Sequence, residues 1–273
     1  MTIKNILVPV KNLLRNYYES YLLWKCGEKK FNDNNLIKAQ NFIEIFDDQE
    51  INEAFINDEE ILTNLGIPDL SGGVNPGDRR AIYFLIKFFK PKKVLEFGTH
   101  LGSSSVSIAL AMKNNNEKNQ FFSTVDIKDV NDKFNKHWTK YNSKNSALEN
   151  IKSIGMEKYV KFIVSDSIEF LKKQSEKFDF IFLDGSHRAR DVYNEIYLSL
   201  NLLNKNGIIL LHDYFPEGKS IWHDREALKG PYIAVKKVTK LNQNINVYPF
   251  KNFPWKTKLG TNLTTLAILY KKN

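Results

Sequence analysis

The 273 residues, 42% hydrophobic, 13% aromatic and 26% charged, exclude a disordered or fibrous chain and suffice for one large α/β domain or a medium one with an N-terminal appendage. The net charge of +9 comes from lysines spread as singles and pairs, such as Lys92-Lys93 and Lys172-Lys173; this is a solvated surface rather than a phosphate-binding groove, so no nucleic-acid partner is expected. A lone cysteine, Cys26, excludes an internal disulfide and fits a reducing cytoplasm, and no run of about eighteen apolar residues offers a membrane span.

In chain order, residues 1–74 read as an N-terminal helical extension. Pro9 and Lys11 interrupt the opening apolar stretch, which makes a poor secretory leader. Leu36, Phe42, Ile43 and Phe46 follow with short periodicities that suggest two or three helices. This part carries no motif and is expected to serve as a lid or as a contact in a homo-oligomer. Turn formers crowd Ser71-Gly72-Gly73-Val74-Asn75-Pro76-Gly77 and mark the boundary to a second unit, 75–273. There Asp78 reads as the N-cap of a helix through Ile82, Leu85, Ile86 and Phe89 that Pro91 stops, with Arg79 and Arg80 as solvated helix arginines or, on the other reading, rim residues of the site. Apolar runs over 93–97, 121–125, 159–164, 178–183 and 207–211 then alternate with helix-like stretches, the pattern of a doubly wound parallel sheet, and 245–248 and 263–270 add two further strands. The clearest helix follows Arg188, where Val192, Ile196, Leu200 and Leu203 keep helical spacing and Asn206-Gly207 supplies the stop.

The first strand runs out in Glu96-Phe97-Gly98-Thr99-His100-Leu101-Gly102-Ser103-Ser104 and passes straight into a helix, placing a glycine loop where open sheets bind ligands. Gly98 and Gly102 are four apart with no third glycine, which argues against a dinucleotide. S-adenosylmethionine suits the loop better: its ammonium matches Glu96, and its carboxylate matches the loop amides and the hydroxyls of Thr99, Ser103 and Ser104. The pattern Glu96-x-Gly98-x-x-x-Gly102-x-Ser104 resembles the first motif of class I S-adenosylmethionine-dependent methyltransferases. That resemblance implies a Rossmann-like, doubly wound, seven-stranded sheet, mostly parallel with the last strand antiparallel. It also implies that Asp126, closing the second strand, holds the ribose hydroxyls and that Asp166-Ser167 contacts adenine. Taken singly, Glu96 is equally a helix-cap partner, and Asp126 and Asp166 are ordinary strand-end turn formers.

Two further strand ends, Asp184-Gly185-Ser186-His187 and His212-Asp213-Tyr214-Phe215, should share the crevice with the cofactor. They resemble the subgroup of macrolide sugar O-methyltransferases and cephalosporin hydroxylase-like proteins, which implies Asp184 and Asp213 as magnesium ligands and His187 as the base. The chemistry suits such residues, because a neutral hydroxyl is a poor nucleophile until an imidazole takes its proton or a hard cation lowers its pKa. His212 stands where the subgroup has a second carboxylate. Imidazole suits manganese, iron or zinc better than Mg2+, so another divalent cation with His212 as third ligand is one reading, and a metal-free site with His187 or His212 as base is the other. The irregular stretch from Tyr214 to Pro231, with Phe215, Glu217, Trp222, His223 and Asp224, reads as an acceptor lid or as a surface loop around Trp222, and 253–260 as a second rim. The expected activity is O-methylation of a small-molecule hydroxyl on a sugar or natural-product scaffold. RNA or protein methylation, and cofactor binding without catalysis, are the alternatives.

Overall fold

The computed structural model describes residues 17–69, 73–223 and 227–272. The opening apolar stretch, Ser71, Gly72 and Asp224 lie outside the described residues. A helix over 17–25 (α1), a 3-10 turn at Phe42–Asp47, and helices α2 (Gln49–Asn64) and α3 (Pro76–Phe89) come first. The alternating part follows: β1 (Lys93–Phe97), α4 (Ser103–Asn115), β2 (Phe121–Asp126), α5 (Ala147–Ser153), β3 (Val160–Val164), α6 (Ser167–Lys173), β4 (Phe178–Leu183), α7 (Ala189–Asn201), β5 (Leu203–Leu211), α8 (Lys229–Leu241), β6 (Ile245–Pro249) and β7 (Ala267–Lys271).

The strands form one seven-stranded sheet in the order β3-β2-β1-β4-β5-β7-β6, parallel except that β7 runs against both β5 and β6. Strand β4, FDFIFL, is central and covered on both faces, so it reads as a nearly unbroken apolar run. The order reverses between β1 and β4, and their following loops diverge there to leave a crevice at the carboxyl edge. Helix α4 has ten consecutive buried residues, Ser103 to Met112, because the sheet, α3 and α5 enclose it. Three of its four serines place their hydroxyls on partners inside, Ser104 and Ser105 on Glu96 and Ser107 on the Ser103 carbonyl at 3.4 Å, while Ser103 lines the cavity.

The N-terminal elements are stitched onto both faces. Phe42, Phe46 and Phe55 join the core beneath α3, where Phe46 packs edge-on against Phe250, Phe253 and Trp255. Leu23, Phe31 and Leu36 join the core beneath α7 and α8. Each such burial stabilises by about 1.5–3 kcal/mol. Backbone bonds tie the chain on as well, from Ile37 to Gly207 (3.0 Å) and from Ala39 to Lys271 (2.9 Å).

Several expectations need correction. Helix α3 is capped by Asn75, whose side chain accepts from the Asp78 amide at 3.1 Å; Pro76 occupies the first turn and Asp78 is a fully buried member of the helix. Arg79 and Arg80 are not solvated. Arg79 pairs with Asp69 at 2.9 Å, and Arg80 lies over the Trp255 ring at 4.3 Å and bonds Asn52. Helix α7 ends at Asn201 and Leu203 already belongs to β5. The Asn206-Gly207 pair is no helix stop: with Asn206 at φ 59 it makes an irregularity inside β5, so Leu203 pairs with Phe178 while Ile208 pairs with Phe180. Strand β7 begins only at Ala267, because the segment before it turns aside and sends the Thr264 hydroxyl to Asp78. Among the described residues, no helix is long and apolar enough to cross a membrane.

Candidate active site

The loop after β1 is shaped by close approach. Gly98 sits at φ +94, and a Cβ there would lie 2.4 Å from the Asp184 carbonyl oxygen, so only glycine lets the loop cross the end of β4. Gly102, at φ 73, caps α4 without any side-chain partner, which leaves the first helical turn for an external acceptor. Asp126 accepts from the His100 amide (2.9 Å) and the Lys128 amide (3.0 Å) and so ties this loop to the end of β2. The His100 ring belongs to the cavity wall, and its Nδ1 is buried without a partner.

Glu96 behaves differently from the expectation. It is fully buried beneath the loop and accepts from the hydroxyls of Ser104 (2.6 Å), Ser105 and Thr124 (2.7 Å), so it pins the start of α4 to β1 and β2 and forms no part of the cavity wall. Burial pushes its pKa up to about 7, against the three hydroxyls that favour the charge. Thr99 likewise spends its hydroxyl on Thr124, at 2.6 Å. Asp166 caps α6, accepting from the Ile168 and Glu169 amides, and Ser167 donates to the buried carboxyl of Glu195 at 2.5 Å. Neither lines the cavity, nor does Gly102.

The ends of β4 and β5 bring four side chains together. His187 Nε2 lies 2.7 Å from Asp213 Oδ2, and His212 Nδ1 lies 3.0 Å from Asp184 Oδ1 and 3.6 Å from Asp213 Oδ1. Asp213 thus turns one oxygen to each histidine, and it holds this fork at φ 52, a left-handed conformation uncommon outside glycine. Burial opposes charge on His212, but Asp184 and Asp213 outweigh it and raise its pKa well above the ordinary value; burial likewise opposes His187, and Asp213 raises it. The same contacts hold Asp213 far below the usual carboxylate range despite its burial.

The close approach of His212 Nδ1 to Asp184 lacks hydrogen-bond alignment, so this nitrogen is buried without a hydrogen-bond partner. Asp184, His212 and Asp213 each offer one ligand atom within 4.8 Å of the others. Two carboxylate oxygens and an unpartnered imidazole nitrogen fit a divalent cation.

Both groups face one cavity of about 1040 Å³. Its walls include Gly98, Ser103 and Asp126 together with Asp184, His187 and Asp213. Phe215, Lys219 and Trp222 from the stretch after β5 also line it, as does Lys258 from the segment before β7. Trp222 is also packed edge-on against Phe215 and bonded to Thr261, so the stretch is cover and small core at once. Sequence reasoning missed two residues. Glu19 of α1 reaches the cavity and accepts from the Ala189 amide at 2.7 Å, capping α7 beside His187. Asp78 stands behind His212, 3.3 Å from its Nε2. No local pattern marks either, since both act across more than one hundred residues of sequence.

Residues 95–214 match the family described as "Methyltransferase domain". The match covers less than half of the chain. It opens on β1 and closes one residue past Asp213. Over 154 residues, 54% of the chain, the sequence is 27% identical to "Probable caffeoyl-CoA O-methyltransferase 3" of Dictyostelium discoideum, and the match spans about half, 54%, of that relative's length. A second relative from the same organism, "Probable caffeoyl-CoA O-methyltransferase 2", is 28% identical over 57% of this chain and 66% of its own. The solved O-methyltransferase TomG from Streptomyces achromogenes, in complex with SAM, superimposes with a TM-score of 0.53 at 15% identity, covering 83% of this chain and 91% of TomG. The O-methyltransferase of Bacillus cereus, in complex with SAH, gives 0.53 at 16% identity, covering 82% and 91%. At such identities the likeness is one of fold, a Rossmann-like arrangement around a seven-stranded sheet.

Proposed function

We propose that the protein transfers a methyl group from S-adenosylmethionine to a hydroxyl of a small molecule, assisted by a divalent cation on Asp184, His212 and Asp213 and by His187 as general base. One observation carries the reading: the glycine loop with its uncapped helix start and the Asp184–His187–His212–Asp213 cluster face the same cavity. The names of the relatives, and the SAM and SAH bound in the two solved structures, support it. The open first turn of α4 suits the donor's carboxylate, Asp126 its ribose, and the unpartnered His100 Nδ1 a further polar group. On this reading residues 75–273 carry the chemistry, and residues 1–74 cover one side of the cavity through Glu19.

S-adenosylmethionine supplies an electrophilic methyl on a sulfonium. His187 Nε2 faces Asp213 Oδ2 at 2.7 Å, and a proton held on that nitrogen leaves the lone pair of Nδ1 to take the acceptor's proton as its oxygen approaches the methyl carbon. Asp184, His212 and Asp213 would hold a divalent cation, whose chemistry there would be to lower the pKa of that hydroxyl and help position it. Trp222 and Phe215 exclude water above. A panel of sugar, catechol and other natural-product hydroxyls, with S-adenosylhomocysteine formation as the readout, identifies the acceptor class. His187→Gln is expected to cut turnover about 100-fold or more while leaving S-adenosylhomocysteine affinity by calorimetry unchanged. Full turnover in that variant removes His187 as base, and failure of the wild-type protein to bind S-adenosylhomocysteine removes the donor.

A further inference from the structure

Asp78 has no place in the chemistry described so far, yet it is fully buried at the foot of α3 and directed at the site. Its Oδ1 accepts from the Thr264 hydroxyl at 2.6 Å, its Oδ2 accepts from the Asn75 amide at 2.7 Å, and the same Oδ2 lies 3.3 Å from His212 Nε2. A carboxylate only accepts, so Nε2 carries a proton toward Asp78, directed away from the cavity. The other ring nitrogen, Nδ1, then turns toward Asp184 and Asp213, buried and without a hydrogen-bond partner. Two carboxylate oxygens beside Nδ1 require a positive centre among them, either a proton on Nδ1 or a cation in its place.

We infer that Asp78 is a positioning residue for the cation site: it fixes the His212 tautomer with the proton on Nε2 and so presents Nδ1 as a ligand beside Asp184 and Asp213. The inference rests on the proposed cation. It assigns the site the carboxylate–histidine–metal arrangement in which the outer carboxylate fixes ring orientation and raises ligand basicity. Three elements far apart in sequence build it, with Asp78 from α3 and its cap Asn75, His212 from the end of β5 and Thr264 from the approach to β7. It also accounts for a histidine in a ligand set otherwise made of carboxylates, since the neutral ring supplies nitrogen without adding a third negative charge beside Asp184 and Asp213.

The test uses Asp78→Asn, which keeps the shape but can turn an amide N–H toward Nε2 and so favour the opposite tautomer. Mn2+ binding is followed by electron paramagnetic resonance in the full-length protein, with melting temperature and S-adenosylhomocysteine affinity measured alongside. Asp78→Asn should weaken Mn2+ binding by about 10–100-fold. His212→Asn offers an amide oxygen that has no tautomer, so adding Asp78→Asn to it should change Mn2+ affinity less than about two-fold. A merely structural Asp78 would lose as much in both backgrounds, and that result overturns the inference. Thr264→Val removes one anchor of the carboxylate and covers the case in which Asp78→Asn does not fold; it should weaken Mn2+ several-fold, and unchanged affinity also counts against the assignment. Mn2+ bound equally by wild type and Asp78→Asn overturns only the role of Asp78, whereas no Mn2+ bound by wild type overturns the cation site itself.

Discussion

The carboxyl of Glu195 offers a test of the interior that is independent of turnover. It lies on α7, 1% exposed, with one oxygen accepting from Ser167 and the other buried without a partner. Burial pushes its pKa from 4.5 up to about 7; the Ser167 hydrogen bond opposes this, and the nearby carboxylates of Asp191 and Asp166 add to it. Below pH 4.5 both folded and unfolded chains hold the proton, and the folded state is at its full advantage. As pH rises from 4.5 toward 7 the unfolded chain ionises first, so stability falls, and above about 7 the whole contribution is gone. The displacement from 4.5 to about 7 corresponds to about 3 kcal/mol. Glu195→Gln keeps an acceptor for Ser167 and has nothing to ionise. Urea unfolding followed by circular dichroism at a series of pH values from about 4.5 to 8.5 should therefore give a variant profile flatter than wild type by about 3 kcal/mol, with the gap opening across that window. Parallel profiles would refute the assignment of a buried, proton-holding carboxyl.

Gly98→Ala combines a positive φ, costing about 1–2 kcal/mol, with a Cβ set against the Asp184 carbonyl, costing about 1–3 kcal/mol more. Thermal melting should drop by roughly 5–15 °C, and S-adenosylhomocysteine affinity should fall with it; an unchanged melt would show that the loop does not cross β4 this closely. Asp166→Ala removes the cap of α6 and should cost about 1 kcal/mol in denaturant unfolding while leaving S-adenosylhomocysteine affinity within about two-fold. A larger loss of affinity would restore Asp166 to the adenine contact.

What the sequence displayed and what it hid follow a physical division. Strands such as Phe178–Leu183 are legible because a parallel strand covered on both faces must be apolar throughout, and the Gly98–Gly102 spacing is legible because backbone crossing demands it. The cluster of Asp184, His187, His212 and Asp213 is legible too, since neighbouring parallel strands must end side by side. Burial of a polar side chain is not local. Glu96 looks the same in sequence whether it faces a ligand or, as here, three hydroxyls beneath the loop, and Ser167 gives no sign that Glu195 claims its proton. Asp78 read as a cap because helix-start chemistry and buried-carboxylate chemistry select the same residue; what separates them is Thr264, brought in by a tail whose path no periodicity reveals.

Glu19 carries a practical lesson for anyone cloning this protein. Helix α7 has no side-chain cap of its own at Arg188, so the amide of Ala189 depends on a carboxylate delivered from α1. Trimming the chain to its matched family segment would discard that carboxylate, leave a buried amide to find water next to His187, and open one flank of the cavity. Fragments that begin at α3 should be treated as altered proteins rather than as shorter copies.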